Sequence, residues 1–266
     1  MSEVTRTVTR QTSLIGQRFA RDVVPALALL LLIIGGWEVA TIVLGIHPVI
    51  LPSPSLIVQT IVKDWGLLYT NMLYTLWEVL IGFGLGFAVG LILAILIVYS
   101  PALERALYPL VVASQTIPVF AIAPLLVIWF GFGIWPKVLI AALIVFFPIC
   151  VNEVEGLRSA EPEMIDLLRS LSASRWTIFR LVEFPASIPY LIAGTQVGIA
   201  YSVIGAVIGE WVGSSRGIGQ LMLAANAMIR TDRVFAAIVV LSIVALALFA
   251  SVTLLSRVLM PWKYIK

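Results

Sequence analysis

Glu38, Glu78 and Glu210 stand inside or near the ends of long apolar stretches, each beside a tryptophan. A charge at the centre of a hydrocarbon layer costs roughly 2.5–3.5 kcal/mol on insertion scales, so such a group faces protein or water, or sits at a polar boundary. Glu38 and Glu78 read first as boundary residues. Glu210 follows the Gly/Ala-rich run 194–209 and reads equally as a gate or passage residue and as a structural one. Among uncharged polar residues, Gln115 and Thr116 precede Pro118, with Pro124 beyond, and Gln196 and Tyr201 interrupt a later apolar run. These four are expected to line a passage; hydrogen bonding between helices explains each equally well. Nothing else offers chemistry. His47 is the only histidine and Cys150 the only cysteine, so a disulfide within the chain is excluded and no metal site is expected. No Gly-x-x-x-x-Gly-Lys-Ser/Thr motif is present, and no converging catalytic groups are visible, so the chain is not read as an enzyme.

The elements that must carry these residues follow from composition. The chain has 266 residues, of which 61% are hydrophobic and 12% charged, against roughly 45–50% and 25% in soluble domains. A soluble core cannot hide that much apolar surface, whereas a bilayer can. A span needs about 20 mostly apolar residues. Six stretches qualify: 23–46, 71–99, 108–130, 136–151 (continuing toward 157), 190–212 and 234–260. The fold class is therefore all-α, a polytopic membrane protein of about six transmembrane helices. Residues 1–22 read as a cytoplasmic tail and 23–266 as one membrane domain. The first stretch is too long for a signal peptide and is kept as a span. Between the first two spans, Ser53 or Ser55 is expected to cap a short helix.

Gly82, Gly86 and Gly90 recur every four residues. The nearby Gly-Phe-Gly-Leu-Gly run lacks the spacing and βαβ context of a dinucleotide site. Close packing of helices explains a smooth face of this kind, and a passage beside it is the alternative.

Lysine and arginine set the orientation. With the N-terminus inside, the inner side holds Arg6, Arg10, Arg18, Arg21, Arg105, Arg158, Arg169, Arg175, Arg180, Arg257, Lys263 and Lys266. The outer side holds Lys63, Lys137, Arg216, Arg230 and Arg233. Both termini and the polar segment 152–187 are then cytoplasmic. Trp37, Trp65, Trp129, Trp135, Trp211 and Trp262 lie near span ends, as interfacial anchors do. No basic stripe points to nucleic acid.

The segment from Glu161 to Pro185 carries the most information. Pro162, Glu163 and Asp166 suit a helix start, Ser174 can cap a second helix bearing Trp176, Phe179 and Val182, and Pro185 is expected to end it. A helix–turn–helix between two spans results. It resembles the cytoplasmic coupling loop of the membrane subunits of bacterial binding-protein-dependent ABC importers, whose pattern is Glu-Ala-Ala, three residues, Gly, nine residues, Ile-x-Leu-Pro. Asp166-Leu167-Leu168 takes the triplet, Ser172 the glycine, and Val182-Glu183-Phe184-Pro185 the final group. The spacing is kept and most identities change. If the backbone at Ser172 needs positive φ, serine there costs about 1 kcal/mol. The flanks Glu155–Arg158, Ala173–Trp176 and Ile204–Trp211 resemble the branch importing sulfonates, taurine, nitrate and thiamine-pyrimidine precursors. Leu167–Ser170 and Val234–Ile238 tilt toward the pyrimidine- or riboflavin-type members.

The resemblance implies a permease in the bacterial inner membrane, paired with a second copy of itself. A separate ATP-binding subunit, carrying ATP and magnesium, would dock on Asp166, Leu167, Leu168, Ser172, Ala173, Ser174, Arg175, Trp176, Phe179 and Pro185. An extracytoplasmic solute-binding protein would deliver the solute, and lipid would surround the assembly. The alternative, an ion-coupled carrier working alone, would be favoured by internal repeats and mid-span acids. No repeat is found.

Overall fold

The computed structural model describes residues 24–260. The expected tail, its arginines, Trp262, Lys263 and Lys266 lie outside the described residues. The elements are α1 (Val24–Val43), α2 (Pro54–Lys63), α3 (Trp65–Tyr99), α4 (Pro101–Ser114), α5 (Val119–Phe130), α6 (Ile134–Arg158), α7 (Pro162–Ser170), α8 (Arg175–Ile178), α9 (Phe184–Gly213), α10 (Ile218–Ala227) and α11 (Thr231–Leu259). Five helices are long and apolar enough to cross a membrane, and a sixth crossing is available if α4 and α5 count as one. At 1.5 Å per residue α3 is about 52 Å long, well beyond a hydrocarbon core of about 30 Å, so it projects from the bilayer.

The centre of the molecule is α6, gripped between α3 and α9. Glycine explains how closely they approach. A Cβ on Gly82 would stand 2.6 Å from the Ala141 Cβ, and one on Gly86 2.5 Å from the Ala142 carbonyl oxygen. On the opposite side, a Cβ on Gly194 would meet the Pro148 carbonyl oxygen at 2.6 Å, and one on Gly205 the Ala141 Cα at 2.8 Å. Val145 and Ile149, fully buried, fill the seam. The four-residue glycine rhythm of α3 and the glycine pairs 194/198 and 205/209 of α9 thus face the same helix, the close-approach geometry of membrane helices.

Expectation and structure part at three places. The third stretch, expected as one span kinked by Pro118 and Pro124, is broken into two separate helices: α4 and α5 meet at 101°. Pro118 lacks an N–H and disfavours helical backbone at Ile117, and the chain tightens beforehand through Thr116 N–H to Ala113 O (3.0 Å) and Ile117 N–H to Ser114 O (3.2 Å). Pro185 does not end a helix. Residues 175–213 form one continuous helical run through a π-turn, Phe179–Glu183, in which the Phe184 N–H reaches back five residues to Phe179 O. An ordinary α-turn would press the proline ring against the carbonyl of Leu181, and the wider turn relieves this. Lys137, counted among the outer-side cations at the edge of the span 136–151, is buried. It lies in the first turn of α6, 8% exposed, because the turn at Gly131 (φ 74°) is short enough for α6 to begin at Ile134.

The smaller helices sit at the end of the molecule shared by the start of α3, the start of α6 and the end of α9. Ser53 caps α2 by accepting from the Leu56 N–H (3.3 Å). Ser55 donates its N–H and hydroxyl to Glu38 at 2.9 and 2.6 Å. Glu38 therefore ties α1 to α2, a structural duty. Arg233 and Arg230 pair with Asp64 and Asp232, joining the α2–α3 corner to the start of α11. The opposite end carries α7 and α8.

Candidate functional site

Two regions hold the residues singled out from the sequence, at opposite ends of the helical core, with a cavity between them.

At the α7–α8 end, Pro162 opens α7, Glu163 lies in its first turn and Arg169 in its last, in keeping with the helix dipole. Ser172 has φ 58°. Its N–H donates to Arg169 O and the Ala173 N–H to Leu168 O, both at 2.9 Å. This is a Schellman turn with serine where glycine usually stands. Ser174 then caps α8, accepting from the Thr177 N–H at 3.2 Å. The two-residue reversal is fixed by backbone bonds rather than left slack.

The tip is held to the span by aromatic packing. Phe179 lies 6.0 Å from Tyr99, 5.6 Å from Phe184 and 5.4 Å from Trp176, stacked on the last. The Tyr99 hydroxyl donates to Glu183. In front of this anchor stand exposed apolar side chains: Leu167, Leu171 and Trp176 at 53, 70 and 66%. Asp166 and Arg175 are exposed beside them, Leu168 and Ala173 are half-buried, and Pro185 lies behind in the first turn of α9. Large apolar groups on a polar, helix-ended tip are the pattern of a contact surface.

At the other end a buried polar cluster joins α3, α6, α9 and α10. Lys137 pairs with Glu78 and donates to the Ser214 hydroxyl at 3.0 Å. Glu210, fully buried, accepts from Thr75 Oγ1 (2.6 Å) and from the Gly219 N–H. The Gly217 N–H donates to Asn71 (2.8 Å) and the Ile218 N–H to Thr75 Oγ1 (2.8 Å). Three side chains from two spans therefore satisfy the free N–H groups opening α10, which has no cap of its own. Glycine is required for this: a Cβ on Gly217, at φ 110°, would fall 2.1 Å from the Glu210 carboxylate. Glu78 belongs to a buried ion pair, not to a boundary. Sequence reasoning missed Lys137, Asn71 and Thr75, because a lysine next to a proline and a Gly-rich turn reads as a loop cation.

The expected passage residues separate into two groups. Gln115 and Tyr201 line one cavity of about 340 Å³, together with Asn152. Thr116 is exposed at the α4–α5 break, its hydroxyl donating to Ala113 O. Gln196 faces elsewhere, donating to Thr253 of α11 at 3.1 Å. Glu210 is occupied in the α10 cluster. Among the described residues there is no group of His, Cys, Asp and Glu able to hold a metal ion.

A family model described as "Binding-protein-dependent transport system inner membrane component" matches residues 86–262. Among curated relatives, the formylaminopyrimidine transport permease protein ThiX of Halalkalibacterium halodurans is 36% identical, covering 85% of this chain and 91% of its own length. The riboflavin transport system permease protein RibX of Chloroflexus aurantiacus is 38% identical over 98% and 97%. The taurine transport system permease protein TauC of Escherichia coli is 31% identical over 85% and 84%. Among solved structures, an inward-facing form of the MetNI methionine ABC transporter aligns with TM-score 0.65 at 18% identity, covering 74% of this chain and 98% of that one.

Proposed function

The chain belongs to the family of binding-protein-dependent transport system inner membrane components, and from that premise we propose which surface meets the motor and what the passage carries. It is the multi-pass membrane subunit of an ATP-driven importer, without enzymatic activity of its own. An ATPase subunit and a solute-binding protein complete such a system. In our reading the ATPase docks on the α7–α8 tip, through Asp166, Leu167, Leu168, Ser172, Ala173, Ser174, Arg175 and Trp176, with Phe179 and Pro185 connecting the tip to α9.

The observation that carries this reading is the tip itself: exposed Leu167, Leu171 and Trp176 on a turn locked by backbone hydrogen bonds and braced by Phe179 against Tyr99. A partner closing on such an element moves it as a rigid body. We assign both termini and segment 152–187 to the cytoplasm, two copies to the assembly and lipid to its outer faces. The solute is a small organic or anionic one, of the pyrimidine, riboflavin, sulfonate, taurine or nitrate class, with Gln115, Thr116 and Tyr201 as passage residues to be tested one by one.

The test replaces Trp176 and Leu167 together by alanine and aspartate. Co-purification of the ATPase is expected to fall at least tenfold, since large aromatic anchors dominate such contacts. An unchanged yield of complex with unchanged ATP-dependent uptake overturns the docking assignment.

A further inference from the structure

Three acids are buried among the described residues: Glu78, Glu153 and Glu210. Glu210 accepts from Thr75 and from the Gly219 N–H. Glu78 leaves one oxygen without a donor, but the Lys137 ammonium offsets its charge. Glu153 has neither arrangement. It lies on α6, five residues before the end of that helix, and is fully buried. Its Oε1 accepts from the Ser187 hydroxyl of α9 at 2.9 Å, and its Oε2 meets no donor among the described residues. Arg158, further along α6, pairs instead with Glu104 and Glu155 at the surface.

Packing does not call for an acid here. One turn on, a Cβ on Gly156 would stand 2.7 Å from the Tyr190 Cβ and 3.0 Å from the Ser187 Cα, so glycine already brings α6 and α9 together. Ser187 does not depend on the acid either, since its hydroxyl also reaches Phe184 O at 3.0 Å. Ionised or protonated, a carboxyl group with one oxygen unpaired in a dry seam costs more than an apolar side chain of similar size. A local choice that works against the packing is what a functional position shows.

The place in the molecule says which function. α6 and α9 are the two spans that carry the α7–α8 tip, and Glu153 meets Ser187 where they enter it. Ser187 stands four residues after the π-turn, so two departures from regular helix structure fall together at the root of the tip. Deeper in the membrane the seam holds no such group: Val145, Ile149, Gly194, Gly198 and Gly205 close it.

We propose that Glu153 lowers the stability of the closed α6–α9 seam at its cytoplasmic end, making the root of the tip a joint that parts and re-forms as the ATPase drives the tip. The inference rests on the docking reading above and adds the place where the movement enters the spans. When the root parts, water reaches the second oxygen, and that gain favours the open form in a way an apolar residue cannot. The deeper seam stays closed throughout.

The test uses the permease alone in detergent and the permease–ATPase complex in nanodiscs, with magnesium-ATP as the probe. Glu153→Met keeps an unbranched chain of similar length and removes the unpaired oxygen. It should raise the midpoint of thermal unfolding of the permease and slow ATP hydrolysis by the complex about tenfold, because the closed seam no longer carries its opposing cost. Ser187→Ala removes the acid's one donor and should act the other way, with a lower midpoint and hydrolysis at or above the wild-type rate. An acid with a structural duty alone gives a lower midpoint for Glu153→Met. That result, a variant that does not fold included, overturns the proposal. So does a raised midpoint with an unchanged rate, or slower hydrolysis by Ser187→Ala. A wild-type permease that never holds the ATPase sinks the docking reading and the proposal with it, whereas contrary behaviour of the variants in an intact complex sinks the proposal alone.

Discussion

Replacing Ser172 by glycine should stabilise the tip. The residue sits at φ 58°, a conformation that costs an L-residue roughly 1–2 kcal/mol and glycine almost nothing. Glycine returns part of that gain through its greater freedom in the open chain, roughly 0.5–1 kcal/mol. The net is about 1 kcal/mol in favour of Ser172→Gly. The serine hydroxyl makes no hydrogen bond to the described residues, so nothing is lost by removing it. A local free-energy change of about 1 kcal/mol corresponds to roughly a fivefold shift in the opening equilibrium. Native-state hydrogen exchange reads this directly at the amides of Ser172 and Ala173, which donate to Arg169 and Leu168. Both should exchange about fivefold more slowly in the glycine variant. Ser172→Val, with a branched side chain at positive φ, should exchange several-fold faster than wild type. Equal protection in all three proteins would refute the claim that backbone strain is stored at this turn.

Two further outcomes concern the core. Gly86→Ala places a methyl 2.5 Å from the Ala142 carbonyl oxygen. Because backbone on α6 cannot yield as a flexible side chain would, the variant should lose about 1–3 kcal/mol, read as a lower midpoint of thermal unfolding in detergent. Gly84→Ala, with open space at that position inside α3, should raise the midpoint slightly, by the equivalent of roughly 0.5–1 kcal/mol. Lys137→Met leaves Glu78 buried without its partner and should cost roughly 3–5 kcal/mol, whereas the double change with Glu78→Leu should recover most of it; a double-mutant cycle on the same midpoints checks this.

The parts legible in the sequence were those set by local rules acting alone. Glycines every four residues announce a smooth face whatever lies opposite, and Ser174 caps α8 from its own hydroxyl. The spans of α3, α6 and α11 follow from hydropathy over lengths that no loop imitates. The parts that were not legible depend on a second element. Lys137 reads as a loop cation until Glu78 and Ser214 are brought to it across two other helices. Pro185 reads as a stop because a standard turn cannot hold it, and only the π-turn before it removes the conflict. Glu210 and Gln196 both read as passage residues, since polarity within an apolar run does not say which neighbour the side chain meets. Thr253 and the start of α10 decide that.

The π-turn at Phe179–Glu183 has one more effect. The wide turn takes up one extra residue, so the helices on either side keep their alignment across it. Deleting one residue there would close it to an ordinary turn and set the Pro185 ring against a carbonyl four residues back. The direction in which this protein points its apolar tip is therefore handed on from the α9 seam through a proline that only this one coil can carry.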